Sequence, residues 1–195
     1  MTVFPFDDEI KIGLLTQTPR LLLHGCCAPC ASSVLEVLSP FFEITVLYYN
    51  PNIRPTEEYE KRAAEFCKLI KRAEYPNKVD PVICDYDAES FGSLAALYPD
   101  EPEGGLRCKA CYSLRLAETF KRARGGGYDF FATTLSVSPH KNAALLNEIG
   151  NALAEGSDIR FLSADFKKRD GYKRSIELSK QYGLYRQAYC GCKLS

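Results

Sequence analysis

Seven of the nine cysteines in this chain fall in three short stretches. The first stretch is HGCCAPC at residues 24–30, the second is RCKAC at 107–111 and the third is YCGC at 189–192. In a reducing compartment, clustered cysteines indicate metal binding or redox chemistry rather than structural disulfides. The other two, Cys67 and Cys84, are isolated on apolar-patterned segments, so we expect them to be small core residues.

The first two groups are suited to metal ligation. Gly25 allows a tight turn, and thiolates that follow at the start of a helix have lowered pKa values. The C-x-x-C pair Cys108–Cys111 is typical of half a zinc site, half an iron–sulfur site or a thioredoxin-like pair. Together with Cys26 and Cys27 it could hold a tetrahedral zinc ion or a cubane cluster, and the spacing does not decide between them.

The third group is suited to redox chemistry. Residues two apart lie within the roughly 4.4–6.8 Å between Cα atoms that a disulfide spans. Gly191 between Cys190 and Cys192 helps such a small ring to close, and strained disulfides are the labile or catalytic ones. The alternatives are two idle thiols in a chain end, or two further metal ligands.

Strands alternate with helices along the chain, which predicts a single-domain α/β fold with a parallel, Rossmann-like sheet. We expect residues 1–19 to be an N-terminal extension and residues 20–195 to be one catalytic domain, with a C-terminal helical extension that carries the last cysteines. Ser138 and Pro139 predict the start of one helix. The other predicted elements are strands at 20–24, 42–49, 81–84, 128–135 and 158–162, and helices at 30–38, 55–73, 87–98, 108–124 and 171–182.

In a parallel sheet the functional site lies beyond the carboxyl ends of the strands. The first cysteine group follows the first predicted strand, residues 136–140 follow the fourth and residues 164–169 follow the fifth. The Cys108–Cys111 pair opens a helix. The pattern therefore predicts that these residues lie near one rim of the sheet.

Composition limits the class of protein. With 195 residues, of which 46% are hydrophobic, the chain can bury a core of one domain. The formal net charge is zero, so nucleic-acid binding would need a local basic patch. We expect a cytoplasmic protein without membrane contact, because the first twenty residues lack a secretory pattern and no stretch approaches the roughly 20 apolar residues of a membrane span.

A local basic patch does occur close to the last cysteines, interleaved with aromatic residues. Basic and aromatic side chains together are typical of a groove for a nucleic-acid backbone with a stacking site. The alternative is a solvated amphipathic helix whose tyrosines face the core. The basic residues are Lys167, Lys168, Arg169, Lys173, Arg174, Lys180 and Arg186.

Four motifs in this order resemble the QueH family of epoxyqueuosine reductases: HGCCAPC, RCKACYSLRL, FATTLSVSPHKN and DFKKRDGYKRSIELSKQYGLYRQAYCGC. The resemblance runs from about Leu21 to Cys192. It implies the last step of queuosine synthesis, in which the epoxide of epoxyqueuosine at the wobble position of tRNA becomes an alkene. It also implies a sheet of the nucleotide alpha-hydrolase (HUP-like) type and an iron–sulfur enzyme without cobalamin. The only histidines, His24 and His140, agree with this because they leave no Asp-x-His-x-x-Gly cobalamin motif.

The resemblance also implies roles for individual residues. Cys26, Cys27, Cys108 and Cys111 resemble the ligands of a 4Fe–4S cluster, and Cys190 and Cys192 resemble a catalytic redox pair. Seven clustered cysteines exceed the four that a cubane needs, so an adjacent mononuclear iron or zinc is a further hypothesis. Its candidate ligands are Cys30, Cys190, Cys192 and Asp165. The candidate proton donors are Asp165, His140 and Tyr189, and the electron donor is unidentified.

Two other functions remain open on the residues alone. One is an ATP-dependent, PP-loop-like tRNA-thiolation enzyme, which would need a Ser-Gly-Gly-type pyrophosphate loop after the first strand. That position reads HGCCAPCASS, which disfavours it. The other is a zinc-stabilised RNA-binding module without catalysis, which would leave the adjacent cysteines and the terminal C-G-C unexplained.

Overall fold

A five-stranded parallel sheet forms the centre of the computed structural model, which describes residues 17–192. The strand order is β3-β2-β1-β4-β5, and every neighbouring pair is parallel. This confirms the predicted Rossmann-like α/β fold. Of the predicted N-terminal extension, residues 1–16 lie outside the described residues. The strands are β1 Arg20–His24, β2 Glu43–Tyr48, β3 Val79–Ile83, β4 Phe130–Thr133 and β5 Arg160–Phe161.

Six α-helices connect or follow these strands within the described residues. No helix among them is long and apolar enough to cross a membrane. The helices are α1 Ala28–Leu38, α2 Thr56–Arg72, α3 Ala88–Ala96, α4 Leu106–Gly126, α5 Ala143–Ala154 and α6 Gly171–Gln181.

The alternation of side chains along β1 builds a core on each face of the sheet. Leu21 and Leu23 join the apolar cluster formed with α1 and α2, whereas Leu22 joins the cluster formed with α4 and α5. Successive residues of a strand point to opposite faces, and a sheet covered by helices on both sides needs apolar residues on both. This is why RLLLH reads as a continuous apolar run and not as an alternating one.

The start of α5 differs from its prediction. Ser138 does not cap the helix. Asn142 does so, and its side chain accepts a hydrogen bond from the N–H of Leu145 at 3.1 Å. The Ser138 hydroxyl instead accepts from the N–H of His140 at 3.3 Å, a local turn that competes with helix capping. Because Asn and Ser cap equally well, the sequence offered two starts, and the prediction chose the wrong one.

Strand β4 is also shorter than predicted. It ends at Thr133, whose side-chain oxygen accepts from the N–H of Leu135 at 3.2 Å, and the turn of 3-10 helix Thr134–Val137 follows. This turn brings Thr134 towards β1.

The last helix and the last cysteines are separate parts of the C-terminal extension. Helix α6 packs on α1 and ends at Gln181, and Gly183 follows with a φ of 59°. Residues 182–192, here the C-terminal segment, have no helix or strand and carry Cys190 and Cys192.

Candidate active site

A cavity of about 370 Å³ lies at the carboxyl ends of β1, β2 and β4. It is located where the strand order reverses between β1 and β4, the usual ligand position in open α/β sheets. Its volume is within the range of small-molecule sites, roughly 300–1,000 Å³. Its walls come from the residues after β1, β2 and β4 and from the C-terminal segment, with single residues of α2, α4 and α6 and Glu103 of the loop before α4.

The first cysteine group forms one wall of this cavity as a compact trio of sulfurs. The Sγ atoms of Cys26, Cys27 and Cys30 all lie within 4.8 Å of one another. Cys27 is the N-cap of α1, and a spacing of three residues at a helix start puts Cys30 on the same side. Thr134 holds Cys26, because its Oγ1 accepts from the Cys26 N–H at 3.0 Å and its hydroxyl donates to the Cys26 sulfur at 3.3 Å.

The three thiols do not hold their protons equally. The pKa of Cys27 is held well below its ordinary value because hydrogen bonds from Cys26 and Cys30 stabilise its thiolate, although burial opposes this. Hydrogen bonding with Cys27 raises the pKa of Cys26 to about 11, and hydrogen bonding with Cys26 and Cys27 raises that of Cys30 well above its ordinary value. Cys27, at a helix N-terminus, is therefore the first of the trio to become a thiolate.

The second group lies in the first two turns of α4, outside the trio. Cys108 and Cys111 are both buried. The N–H of Gly104 donates to the Cys108 sulfur at 3.2 Å. Cys108 belongs to the apolar cluster that Cys26 borders, and Cys111 belongs to the one that Cys192 borders. The pair is therefore packed between neighbours of the first and third cysteine groups, and its role as cluster ligands remains a prediction.

The third group reaches the cavity through the C-terminal segment. Cys190 lines the cavity, and Lys141 Nζ lies 3.7 Å from its sulfur and 3.2 Å from a carboxylate oxygen of Glu103. A hydrogen bond from the Cys192 thiol lowers the pKa of Cys190 to about 5, with help from the charges of Lys141 and Arg115 and against the effect of burial. Both residues are free thiols here, so the disulfide remains a prediction.

Two buried cations at this site were not found from the sequence. Lys141 has a side chain only 8% exposed, and Arg115 is 2% exposed. Arg115 donates to the Asn50 side-chain oxygen and to the Cys111 carbonyl, both at 3.3 Å. Arg115 forms no ion pair with another described residue. Burial alone would lower the pKa of Arg115, but the charges of Cys111, Cys190 and Cys26 outweigh burial, so the pKa is raised overall.

A sequence signal for Arg115 did exist. It follows Cys108 by seven residues and Cys111 by four, which is the spacing of one helix face. Lys141 carries no such signal, because it lies in the loop before α5 and its burial depends on contacts with distant residues.

The three candidate proton donors occupy different places. His140 and Tyr189 line the cavity, and both are exposed. Asp165 is not among the lining residues, and its carboxylate pairs with Lys167 at 2.8 Å. The structure therefore brings two of the three candidates to the cavity. The role of Asp165 as an acid or a metal ligand stays a prediction.

The basic residues of the C-terminal region are not one uniform face. Arg174 is bound to Glu36 at 2.7 Å and to Glu177 at 3.1 Å. Arg186 lines the cavity and donates to the Ser175 carbonyl at 3.3 Å. Arg169 has a φ of 53° in the turn before α6. The remaining exposed residues of the set are Lys168, Lys173 and Lys180.

The two isolated cysteines, Cys67 and Cys84, were both expected to be core residues, and the structure confirms only one of them. Cys84 is a buried core residue as predicted, but Cys67 is only half-buried on α2, so its prediction as a core residue was wrong.

His24 is fully buried between Thr133 and the Tyr49 carbonyl, at 2.9 and 3.1 Å. Because a carbonyl only accepts, His24 Nε2 carries the proton, and burial lowers the pKa of His24 to about 4.

Comparison with known proteins identifies the family of this chain. Residues 21–195 match the family model of epoxyqueuosine reductase QueH. This chain belongs to the QueH family. It is 40% identical to the epoxyqueuosine reductase QueH of Staphylococcus epidermidis, over 90% of this chain and 76% of that protein. It is also 40% identical to the QueH of Streptococcus pyogenes, over 89% and 69%, and 34% identical to that of Thermotoga maritima, over 90% and 89%.

The donor atoms at the QueH cavity fit the kind of metal group that the sequence predicted. The close trio consists of sulfur ligands only, and soft thiolates select zinc, iron–sulfur clusters or copper(I) over magnesium or calcium. Lys141 and Arg115 supply fixed positive charge beside the sulfurs. The Cys26, Cys27 and Cys30 group could therefore bind a metal.

Proposed function

We propose that this chain reduces epoxyqueuosine to queuosine at the wobble position of tRNA, with an iron–sulfur cluster held at the cysteine-lined cavity. The observation that carries the proposal is the convergence of Cys26, Cys27, Cys30 and Cys190 on one cavity, in a chain of the QueH family. The cluster ligands of the proposal are Cys26 and Cys27, which line the cavity, and Cys108 and Cys111, which are buried on α4 and are not among its lining residues.

The reaction needs a balanced supply of electrons and protons. An epoxide plus two electrons and two protons gives an alkene and water, so both carbon–oxygen bonds break and the oxygen leaves reduced. A 4Fe–4S cluster, when bound, supplies electrons one at a time. Oxidation of the Cys190–Cys192 dithiol to a disulfide releases two electrons and two protons, which equals the requirement of one turnover. An external electron donor, unidentified here, then restores the dithiol.

The lowered pKa of Cys190 supports this role. A thiolate at Cys190 beside a thiol at Cys192 is the reactive half-ionised form of a dithiol. Lys141 lies against the thiolate and faces the cavity, so its positive charge can also stabilise oxygen charge that develops during ring opening. His140 and Tyr189, which line the cavity, are better supported as proton donors than Asp165.

A mononuclear iron or zinc beside the cluster remains a secondary proposal. Cys30 belongs to the sulfur trio but not to the four cluster ligands of the family pattern, so its sulfur is available for a second ion. Cys190 and Cys192 complete the candidate set, and Asp165 would have to leave Lys167 to join it.

The charge of the cavity supports tRNA as the partner. Arg62, Arg115, Lys141 and Arg186 all line it, against the single carboxylate of Glu103 among the same lining residues. Three further basic residues, Lys167, Lys168 and Arg169, precede α6, and Lys173 lies in its first turn. Their positive charge would bind phosphates. A reaction on tRNA is also consistent with a cytoplasmic protein. Affinity for tRNA should then fall steeply as salt concentration rises.

The test is chemical analysis followed by an assay. Protein purified without oxygen should contain about four iron and four acid-labile sulfide atoms and give a cubane EPR signal after dithionite. It should convert epoxyqueuosine to queuosine in tRNA under the same conditions. Zinc without sulfide, together with tRNA binding and no turnover, would overturn the proposal and favour the zinc-stabilised RNA-binding module.

A further inference from the structure

Three polar side chains on the cavity wall hold a buried atom without a hydrogen-bond partner among the described residues. The atoms are Asn52 Oδ1, Arg62 Nη2 and Gln187 Oε1. Asn52 is 2% exposed and Arg62 is 3% exposed. Buried polar groups nearly always have partners, because leaving one unpaired is costly, so three on one cavity require an explanation.

Asn52 is held in a rigid loop. The loop follows β2 and is closed by the Ile53 N–H, which donates to the Asn50 carbonyl at 3.1 Å. The Tyr86 hydroxyl donates to the Ile53 carbonyl at 2.6 Å, and the Arg54 N–H donates to the Gly191 carbonyl at 3.1 Å. These bonds hold the backbone next to Asn52, and its buried Oδ1 has no hydrogen-bond partner among the described residues.

Arg62 and Gln187 are oriented in the same way. Arg62 Nε pairs with Glu58 at 2.7 Å and its Nη1 donates to the Cys190 carbonyl at 3.3 Å. The guanidinium carbon lies 5.2 Å from the centre of the Tyr189 ring, and Nη2 has no hydrogen-bond partner among the described residues. Gln187 and Cys27 both line the cavity, and the Gln187 side chain lowers the pKa of Cys27. Because a thiolate accepts, the amide N–H₂ of Gln187 faces Cys27 and its Oε1 is the atom left unpaired.

The three free atoms define a ligand chemistry of two acceptors and one donor. Hydroxyl groups match this set, since each can donate to an amide oxygen and can accept from a guanidinium N–H. We propose that Asn52, Gln187 and Arg62 form a subsite that recognises hydroxyl groups on the ring of the substrate. This inference rests on the proposed function and names how its substrate is held next to Cys27 and Cys190. A site built to hydrogen-bond a hydroxyl strongly rejects ligands that lack it.

Equilibrium binding tests the subsite without turnover. The product tRNA keeps every ring hydroxyl of the substrate, because only the epoxide oxygen is lost. Its affinity is compared with that of the same tRNA whose modified base lacks the hydroxylated ring. Asn52→Leu should weaken binding of the product tRNA about tenfold, equivalent to about 1.4 kcal/mol, and leave the other tRNA unchanged. Gln187→Met should do the same, and Asn77→Leu, in the loop before β3, is the control variant.

Thermal unfolding separates this role from a structural one. Asn52→Leu replaces an unpaired buried oxygen with an apolar group of similar size, so its Tm should equal or exceed that of the wild type. A lower Tm with unchanged discrimination would make Asn52 a structural residue whose oxygen is satisfied by water.

The subsite proposal fails if the wild type binds the two tRNAs equally, or if both variants keep the wild-type discrimination. Failure of the proposed function is a different result, because it means no conversion of epoxyqueuosine by the metal-loaded wild type. If the wild type discriminates between the two tRNAs but does not convert epoxyqueuosine, the subsite proposal is supported and the proposed reductase function is overturned.

Discussion

The cysteine turn, residues 25–30, and the C-terminal segment, residues 182–192, both bring thiols to the cavity but are held in different ways. In the turn, the Gly25 N–H donates to the Leu47 carbonyl at 2.9 Å and the Ala31 N–H to the Cys27 carbonyl at 3.0 Å. These bonds continue the sheet and begin α1. The turn is therefore part of the main-chain framework.

The C-terminal segment depends chiefly on side chains of another element. Lys68 on α2 donates to the Gly183 carbonyl, and Glu65 accepts from the Tyr185 N–H at 2.7 Å. Arg62 reaches the Cys190 carbonyl at 3.3 Å. A single change on α2 can thus loosen Cys190 and Cys192, whereas the trio of Cys26, Cys27 and Cys30 should respond less to changes on α2, because main-chain bonds and Thr134 hold it.

The largest effect is expected at Cys27. Cys27→Ser removes the sulfur that ionises first, so we expect loss of most bound metal and about a hundredfold or greater loss of turnover. Iron and sulfide analysis with the tRNA assay measures both. Cys67→Ser, a half-buried cysteine on α2, is the matched control and should keep metal and turnover. Full metal content in Cys27→Ser would remove Cys27 from the ligands.

Cys190 and Cys192, the proposed redox pair, should show a different pattern. Cys190→Ser or Cys192→Ser should keep iron and sulfide but lower turnover by about tenfold or more, because the dithiol can no longer close. Steady-state kinetics and metal analysis on the same preparations give the comparison. Unchanged turnover would exclude the dithiol from the mechanism, and loss of metal would assign the altered cysteine to a metal site.

Gly25 tests the packing under the turn. A Cβ at this position would lie 2.6 Å from Phe66 Cζ and 2.9 Å from Val46 Cγ1, so Gly25→Ala should destabilise the fold by about 2 kcal/mol. Denaturant unfolding measures this loss. Because Phe66 is itself a core residue, the Phe66→Leu variant serves as the reference, and Gly25→Ala should cost less stability in it than in the wild type. An equal cost in both backgrounds would mean that contact with Phe66 is not the reason for this glycine.

Glu65 tests the support of the C-terminal segment. Glu65→Ala removes the carboxylate that accepts from the Tyr185 N–H, so local opening of the segment should become easier by about 1.5 kcal/mol. Hydrogen exchange should speed up over residues 182–192 and stay unchanged over residues 25–30. Glu60→Ala, exposed on the same helix, is the control. Equal acceleration in both regions would contradict the difference between them.

The smallest effect concerns α3, whose Phe91 and Ala95 pack with Cys111 and Cys192. Asp87 caps this helix, and hydrogen bonds from the Ser90 hydroxyl and N–H lower the pKa of Asp87. Asp87→Ala should cost about 1 kcal/mol. Because the pKa of Asp87 is lower in the folded state, its ionised carboxylate stabilises the fold. This stabilisation is complete at pH values above the pKa in the unfolded state, about 3.9, and is lost as the pH falls through the pKa in the folded state.

Unfolding of the Asp87→Ala variant and the wild type across pH 2–7 checks this sign. Their difference in unfolding free energy should be constant near neutral pH and shrink in acid. Asp87→Asn keeps the cap and should lose the pH dependence. A difference that grows as pH falls would contradict the assignment.

The sequence predicts the cysteine turn better than it predicts the contacts of the C-terminal segment. The turn was predictable, because HGCCAPC follows an apolar strand and opens a helix, and both are local signals. The sequence suggested that Gly25 is needed for a tight turn, but Gly25 does not have a positive φ. A side chain is excluded at this position because Phe66 lies too close. The start of α5 was missed because two residues compete equally to cap it.

The sequence by itself determined the parallel α/β sheet, the position of the cysteine turn at its rim and the family resemblance that comparison later established. Only the tertiary structure decided that Cys30 joins Cys26 and Cys27, that Lys141 meets Cys190, and that Asp165 pairs with Lys167 instead of lining the cavity. Strands and helices follow from local periodicity, which the sequence displays directly. Contacts between residues 49 positions apart, such as Lys141 and Cys190, depend on how those elements pack, and no local pattern records them.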